Sequence, residues 1–483
     1  MSIVNPHPGF MKDIVANPDD DAPRLIYADW LDDQGHPEIA EMIRTACELA
    51  QTPRTAETAP KLERLAGRVC YLEARHSRHF LGRSFRRLIK KKGGIGARWE
   101  MRRGFVEGLR IAPQRFRLIA EEVCVAQPIQ SLILPRAEDL SSLVDCPVLR
   151  RLRSLTLSKT SSSFEAFFRS EHLAELKAID ISSTRPSFRL IADLIDVPAF
   201  QGLESMRVGW DWTWSQERGP SALESLLRRE HSSSLRSISV RAGEETFQQL
   251  IRTGRHHQLQ DLEIWHLHTG SHSTSFTPVP ETEMRELFRG LRSFSLPGCV
   301  LTDAFPLSEC LQYDEARALT SLNFNHGHSP LIILRALAQA ELPRLTELSL
   351  HSLLDDDAHL QRLTSVPCLK HLSALDLTNC GIGPNGTREM LSPKYANLAR
   401  LSLRKNLIGD DGLANLLSSS HLSNLWYLDL RETQITSKSV PMLLSLASAC
   451  PQLAWLDLRQ NPLKAEECEP LRRVFGPSVR YPS

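Results

Sequence analysis

Six aspartates crowd one stretch near the start of the chain: Asp19, Asp20, Asp21, Asp29, Asp32 and Asp33. Carboxylates this close are the raw material of a divalent-cation site or an acid–base pair. Their order lacks the D-x-D-x-D-G-x5-E frame of a calcium loop, and aspartates favour helix starts, so capping and solvation account for them without an ion. A second cluster, His256, His257, His266, His268 and His272, has the ligand type for zinc. No nearby cysteine and no closed four-ligand spacing supports a metal there, which leaves polar surface. Nucleophilic and nucleotide chemistry also lack their frames. There is no G-x-x-x-x-G-K-[ST], G-x-S-x-G, H-E-x-x-H or G-x-G-x-x-G, and the GGIG at 93–96 has no lysine after it. The reading is no enzyme, with no catalytic residue, cofactor or metal assigned.

Charge is balanced overall, at a formal +1 over 483 residues, but not locally. Between Arg75 and Arg103 lie eleven Lys or Arg, including Arg86, Arg87, Lys90, Lys91 and Lys92, against one acidic residue, Glu100. Such a segment, with Phe85 and Trp99 nearby, suits phosphates of nucleic acid or an anionic membrane surface. A solvated helix followed by a KKGGIG turn is the plainer account. The ten cysteines are scattered, with no C-x-x-C pair, so reduced and buried thiols are expected rather than a disulfide framework or structural zinc. No stretch approaches 18 uninterrupted apolar residues, and the first twenty residues lack a basic region followed by an apolar run, which together imply a cytoplasmic protein.

The elements that must position any site are repeats. RLTELSLHSL, HLSALDLTNCGI, NLARLSLRKNLI, NLWYLDLRETQI and QLAWLDLRQNPL all carry L-x-x-L-x-L. Their middle leucines, Leu348, Leu375, Leu401, Leu428 and Leu456, are 27, 26, 27 and 28 residues apart. In x-L-x-L-x the leucines of a short strand alternate to one side, and a return segment such as Leu413, Leu416 and Leu417 adds a second apolar row at helical spacing. Asn406 and Asn461, with Cys380 and Thr433 as variants, suit hydrogen bonding to backbone as the chain leaves each strand. Weaker matches place the same position at Leu109, Leu132, Leu155, Ile179, Met206, Ile238, Leu262, Phe294 and Leu322, which makes fourteen candidates. The longer intervals mark insertions such as GWDWTWSQERGPSA and HTGSHSTSFTPVPETE.

This period is that of the leucine-rich repeat, and LIGDDGLANLL and QITSKSVPMLL resemble its longer, helix-containing ribonuclease-inhibitor class. The resemblance implies an α/β solenoid, a horseshoe with parallel strands on the concave face and helices outside, whose work is protein recognition. Some members of that class regulate enzymes, so a regulatory subunit is a further alternative. Upstream, an Asp cap and Pro23 open one helix, and Gly35 with Pro37 closes it before another. DDAPRLIYADWLDDQG followed by RGFVEGLRI resembles the bacterial repeat-companion domain that precedes such repeats, a likeness that predicts arrangement and no activity. The expected organisation is a helical companion domain at 1–74, a basic connector and cap at 75–105, and the solenoid at 106–483.

Non-leucine strand positions point away from the core, so a partner-facing surface can be read from the last repeats. Asp376, Asp429 and Asp457 fall in one column, Arg404, Arg431 and Arg459 in the next, and Tyr427 with Trp455 in the one before, at about 4.8 Å per strand. Tyr, Trp and Arg dominate protein interfaces. These eight residues are the candidate protein-binding site. The competing reading is that the charges neutralise one another across the sheet as a ladder of exposed pairs. Farther upstream the same positions are mostly serine and threonine, interrupted by Asp261, Glu263 and Trp265, a second acidic and aromatic spot.

Overall fold

The computed structural model describes residues 6–81, 85, 89, 97–159, 164–184, 197–209, 234–241, 247–248, 250–251, 258–267, 279–303 and 305–481. By compactness the chain forms two units, one of residues 1–51 with 75–259 and one of 52–74 with 260–483.

The first unit opens with α1 (Pro8–Ala16), α2 (Ala22–Asp33) and α3 (Pro37–Gln51). The α2–α3 hairpin turns at Gly35, whose φ of 78° is the left-handed value that suits glycine. Tyr27 and Leu31 of α2 and Ile39, Met42 and Ile43 of α3 are buried, as the apolar spacing requires. An antiparallel hairpin follows, β1 (Arg98–Arg102) and β2 (Phe105–Arg110). Its two-residue turn has positive φ at both Arg103 (50°) and Gly104 (82°), the type I′ geometry that matches strand twist. A Cβ on Gly104 would stand 2.7 Å from Cγ1 of Ile43, so glycine is also what lets the hairpin approach α3.

A buried ionic knot ties these two segments together. Arg24 of α2 is fully buried, donates to Glu107 of β2 at 2.8 Å, and spends further N–H groups on the carbonyls of Asp20 (2.7 Å) and Pro18 (2.9 Å). Arg103 chelates the same Glu107 at 2.9 and 3.0 Å. Asp21 stands 3.5 Å from Arg103, and Asp19 accepts from Gln130 at 2.9 Å. Burial of an ion is tolerated only with this density of partners. The helical hairpin and the first strand are therefore clamped by charge as well as by apolar packing.

After β2 the strands are β3 (Ser131–Leu134), β4 (Ser154–Ser158), β5 (Ala178–Ser183), β6 (Ser205–Val208) and β7 (Ser237–Arg241), parallel and in sequence order. In register run Leu109, Leu132, Leu155, Ile179, Met206 and Ile238. In the second unit the strands are β8 (Asp261–Trp265), β9 (Ser293–Ser295), β10 (Ser321–Asn323), β11 (Glu347–Ser349), β12 (Ala374–Asp376), β13 (Arg400–Ser402), β14 (Tyr427–Asp429), β15 (Trp455–Asp457) and β16 (Val479–Arg480). They pair Leu262, Phe294, Leu322, Leu348, Leu375, Leu401, Leu428 and Leu456 in one row. All fourteen expected positions thus lie in strands, each buried to 2% exposure or less. Among the strands of the described residues, only β1 and β16 fall outside the series.

The return segments bury the second apolar row. Leu413 and Leu416 of the helix Gly409–Leu417, and Leu443 and Leu446 of Val440–Ala449, are inaccessible. Each full burial of this kind stabilises by roughly 1.5–3 kcal/mol. Side chains at the strand exits join one repeat to the one before. Asn406 accepts from the amides of Cys380 and Ile382 (2.9 and 3.1 Å) and donates to the carbonyls of Leu377 and Leu403 (2.7 and 2.9 Å). Asn461 repeats the arrangement on Thr433, Ile435, Leu430 and Leu458. Cys380 and Thr433 donate to the carbonyls of Leu350 and Leu430 instead. This is a leucine-rich-repeat architecture.

All ten cysteines are free, and all but Cys70 are buried. Among the described residues no helix is long and apolar enough to cross a membrane.

Candidate functional site

The pairing of β12 to β15 aligns Ala374, Arg400, Tyr427 and Trp455 in one row and Asp376, Ser402, Asp429 and Asp457 in the next. Tyr427 and Trp455 stack, with ring centroids 6.0 Å apart and planes 16° from parallel. The Arg480 guanidinium covers the other side of Trp455, 3.6 Å from the ring centroid, a cation–π contact. Among the described residues the buried Trp455 indole N–H has no hydrogen-bond partner. Burial pushes the Tyr427 phenol up to about 12, so it stays a neutral donor at all ordinary pH.

The charged columns neutralise chiefly along the strand, with one longer contact across the sheet, Arg431 Nε to Asp457 at 3.6 Å. Arg431 chelates Asp429 through Nε (2.9 and 3.0 Å) and Nη2 (2.5 Å), and its amide also donates to the same carboxylate at 3.1 Å. Arg459 treats Asp457 alike, at 2.9 and 2.6 Å. An i, i+2 pair shares one face of a strand, which is why D-L-R closes on itself. Nor is the ladder an exposed one: Asp429 is 2% and Asp457 1% exposed, whereas the Arg459 side chain is 44% exposed. Hydrogen bonding to Asp429 raises the Arg431 pKa further, so it is permanently charged. Arg404 departs from the pattern and pairs with Glu432 at 2.8 Å. Asp376 has no arginine two residues on and instead accepts from the amide and hydroxyl of Thr378 (2.9 and 2.6 Å).

A further element, not expected from the repeats, lies at the beginnings of these strands. Helix α4 (Ala59–Phe80), as far as Ala74, packs there. Glu63, only 9% exposed, accepts from the Trp426 indole at 2.9 Å, from Nε of Arg400 at 3.1 Å and from the Ser373 hydroxyl at 3.2 Å, one residue from each of three successive repeats. A Cβ on Gly67 would stand 2.8 Å from Cγ of Trp426. The small residues Ala59, Gly67, Cys70 and Ala74 at helical spacing were the available signal, together with Trp426 where neighbouring repeats have Ser373, Ala399 and Ala454. On the same helix, burial pushes the Glu73 carboxyl up to about 7 and the Cys70 thiol up to about 11.

The other sequence candidates scatter. Asp20, one residue ahead of the α2 N-cap, accepts from the Ala22 amide at 2.9 Å, and Asp29 and Asp32 share Arg44 at 2.6 and 2.5 Å. Asp19 and Asp21 are not simple caps, because they belong to the ionic knot. Among the described residues no group of three or more His, Cys, Asp or Glu is placed to hold a metal ion. His256, His257, His268 and His272 lie outside the described residues, as do residues 82–84, 86–88 and 90–96 of the basic stretch. Within that stretch Phe85 is buried against Trp99, with centroids 6.1 Å apart. Asp261, Glu263 and Trp265 alternate on β8 with buried Leu262 and Ile264.

No protein-family model matches the sequence, and no curated protein matches it. Among solved structures the chain is similar to an internalin of Listeria monocytogenes, at 16% identity over 67% of this chain and 86% of that one, with a TM-score of 0.29. A superposition this loose transfers neither site nor partner. The repeat class rests on the period and the strand register.

Proposed function

We propose that this chain is a non-catalytic scaffold of the ribonuclease-inhibitor-like repeat class, with a repeat-companion module ahead of its repeats, that recognises another protein in the cytoplasm. The contact surface is the face of β12 to β15 and their exits: Asp376, Arg404, Tyr427, Asp429, Arg431, Trp455, Asp457 and Arg459. One observation carries the reading. The stacked Tyr427–Trp455 pair is bordered by guanidiniums whose carboxylate partners lie beneath them in the sheet. Asp429 and Asp457 act by positioning, since a chelated arginine loses less rotamer freedom on meeting a partner. Tyr427, Trp455, Arg431 and Arg459 would make the contacts, and α4 borders the surface at the strand starts.

The test begins with affinity capture and mass spectrometry to identify the partner. Its affinity is then measured for wild type and for the combined change Tyr427→Ala, Trp455→Ala, Arg431→Ala. Removal of a genuine hot spot weakens binding by roughly thirtyfold or more. Unchanged affinity in a variant with a native circular-dichroism spectrum would eliminate this surface.

A further inference from the structure

The geometry points to a small-molecule site beyond the last full repeat, built for a phosphate monoester. A pocket of about 540 Å³ is lined by Arg459, Arg472, Gly476, Pro477, Val479, Arg480 and Tyr481. That volume falls in the range of roughly 300–1,000 Å³ typical of small-ligand sites. Its lining converges from three places: the exit of β15, the helix Glu469–Phe475, and β16 with the residue after it. Gly476, with φ 59°, turns the chain between the last two.

Among the described residues three guanidiniums and no carboxylate line it. Like charges gathered this way are unfavourable without an anion, and the strain is visible at Arg480, whose pKa is lowered by partial burial and by Arg459. Arg459 is offset by Asp457 below it, and Arg472 makes only a 3.8 Å contact with Glu469. Arg472 also complements the partial negative charge at the end of its helix, which accounts for one cation of the three. Arg480 rests on the Trp455 ring and makes no ion pair among the described residues.

Two of the donors are held in place before any ligand arrives, Arg459 by its chelate and Arg480 by the indole face. Planar guanidiniums fixed in this way match phosphate oxygens, each able to give two parallel N–H bonds. Pro477, Val479 and the Tyr481 ring supply apolar wall for an organic substituent. A free inorganic anion would leave that wall uncovered, which is why the ester is assigned. The site shares Arg459 with the proposed protein-binding face but does not depend on it.

The experiment is calorimetric titration of the full chain at constant ionic strength with phenyl phosphate, inorganic phosphate and phenol. Phenyl phosphate is expected to bind most tightly and phenol not at all. Arg480→Gln and Arg472→Gln, both at exposed side chains, should each weaken phenyl phosphate about tenfold, the loss of one charge-assisted hydrogen bond. Inorganic phosphate binding as tightly as the ester overturns the assignment. So does full retention of binding in both variants, or its abolition by Lys90→Gln with Lys91→Gln in the basic stretch. Neither titration reads the protein partner, so this inference and the scaffold reading fail independently.

Discussion

Carboxylates and guanidiniums meet in both units, to opposite ends. Around Arg24 both partners are buried: Arg24 is inaccessible and Glu107 is 3% exposed. In β14 and β15 only the carboxylate is buried, and the guanidinium is left at the surface. The first arrangement can do nothing but hold elements together, because no outside group reaches it. The second fixes a cation where another molecule can meet it. Identical chemistry therefore reads as architecture or as a contact surface according to which partner the fold exposes.

Breaking each side of this contrast should separate the two. Glu107→Ala strands Arg24 and Arg103 in the interior, and the expected loss is about 3–5 kcal/mol in urea unfolding. A loss below about 1 kcal/mol would place the knot with ordinary surface pairs. Glu73 offers a third case, a buried carboxylate shifted by burial alone, with an apparent pKa of about 7 against an ordinary 4.5. Between these values the folded chain keeps a proton that the unfolded chain has lost, so stability falls as pH rises through that window and the penalty is complete above it. Glu73→Gln should thus stabilise by up to about 3 kcal/mol at pH 8 and by nothing at pH 4. An equal gain at both pH values, by thermal melting, would assign the effect to packing.

Smaller effects test the surface. Gly67→Ala drives a methyl towards Trp426 and should cost about 1–3 kcal/mol, with faster amide exchange in 59–74. No change in exchange would mean that α4 shifts without loosening. Smallest is Arg459→Ala, expected to cost about 1 kcal/mol, because Asp457 keeps the amide of residue 459 as donor and the Arg431 guanidinium 3.6 Å away as a counter-charge, and loss of the overlying side chain opens it to water. Stability unaltered to within a few tenths, with weakened partner binding, is the signature of a contact residue.

The fold was legible because alternation survives chemical variation. Met206 and Ile238 lack the leucine of the five L-x-x-L-x-L repeats, yet each sits where a buried position recurs, and each is in register. The site was legible as columns, since D-L-R and Y-L-D place side chains on one strand face whatever the tertiary context. What escaped was long-range. Glu63 meets Trp426 across 363 positions, and Asp19 meets Gln130 across 111. A carboxylate in an exposed-looking helix announces no such partner. The direction of charge pairing was missed for a different reason: an arginine is long enough to reach either the neighbouring strand or its own, and only rotamers decide.

The asparagines at the strand exits carry a consequence for how such a chain can change in length. Asn406 and Asn461 each satisfy amides belonging to the preceding period. The two periods ahead of them are thus each completed by their successor. Gain or loss of a whole period preserves that bookkeeping, because each new unit brings the amide that its predecessor needs and leaves its own amides for the next. A cut within a period leaves buried N–H groups without acceptors, at about 1–3 kcal/mol apiece. Where an asparagine holds the exit, length is quantised by a hydrogen bond.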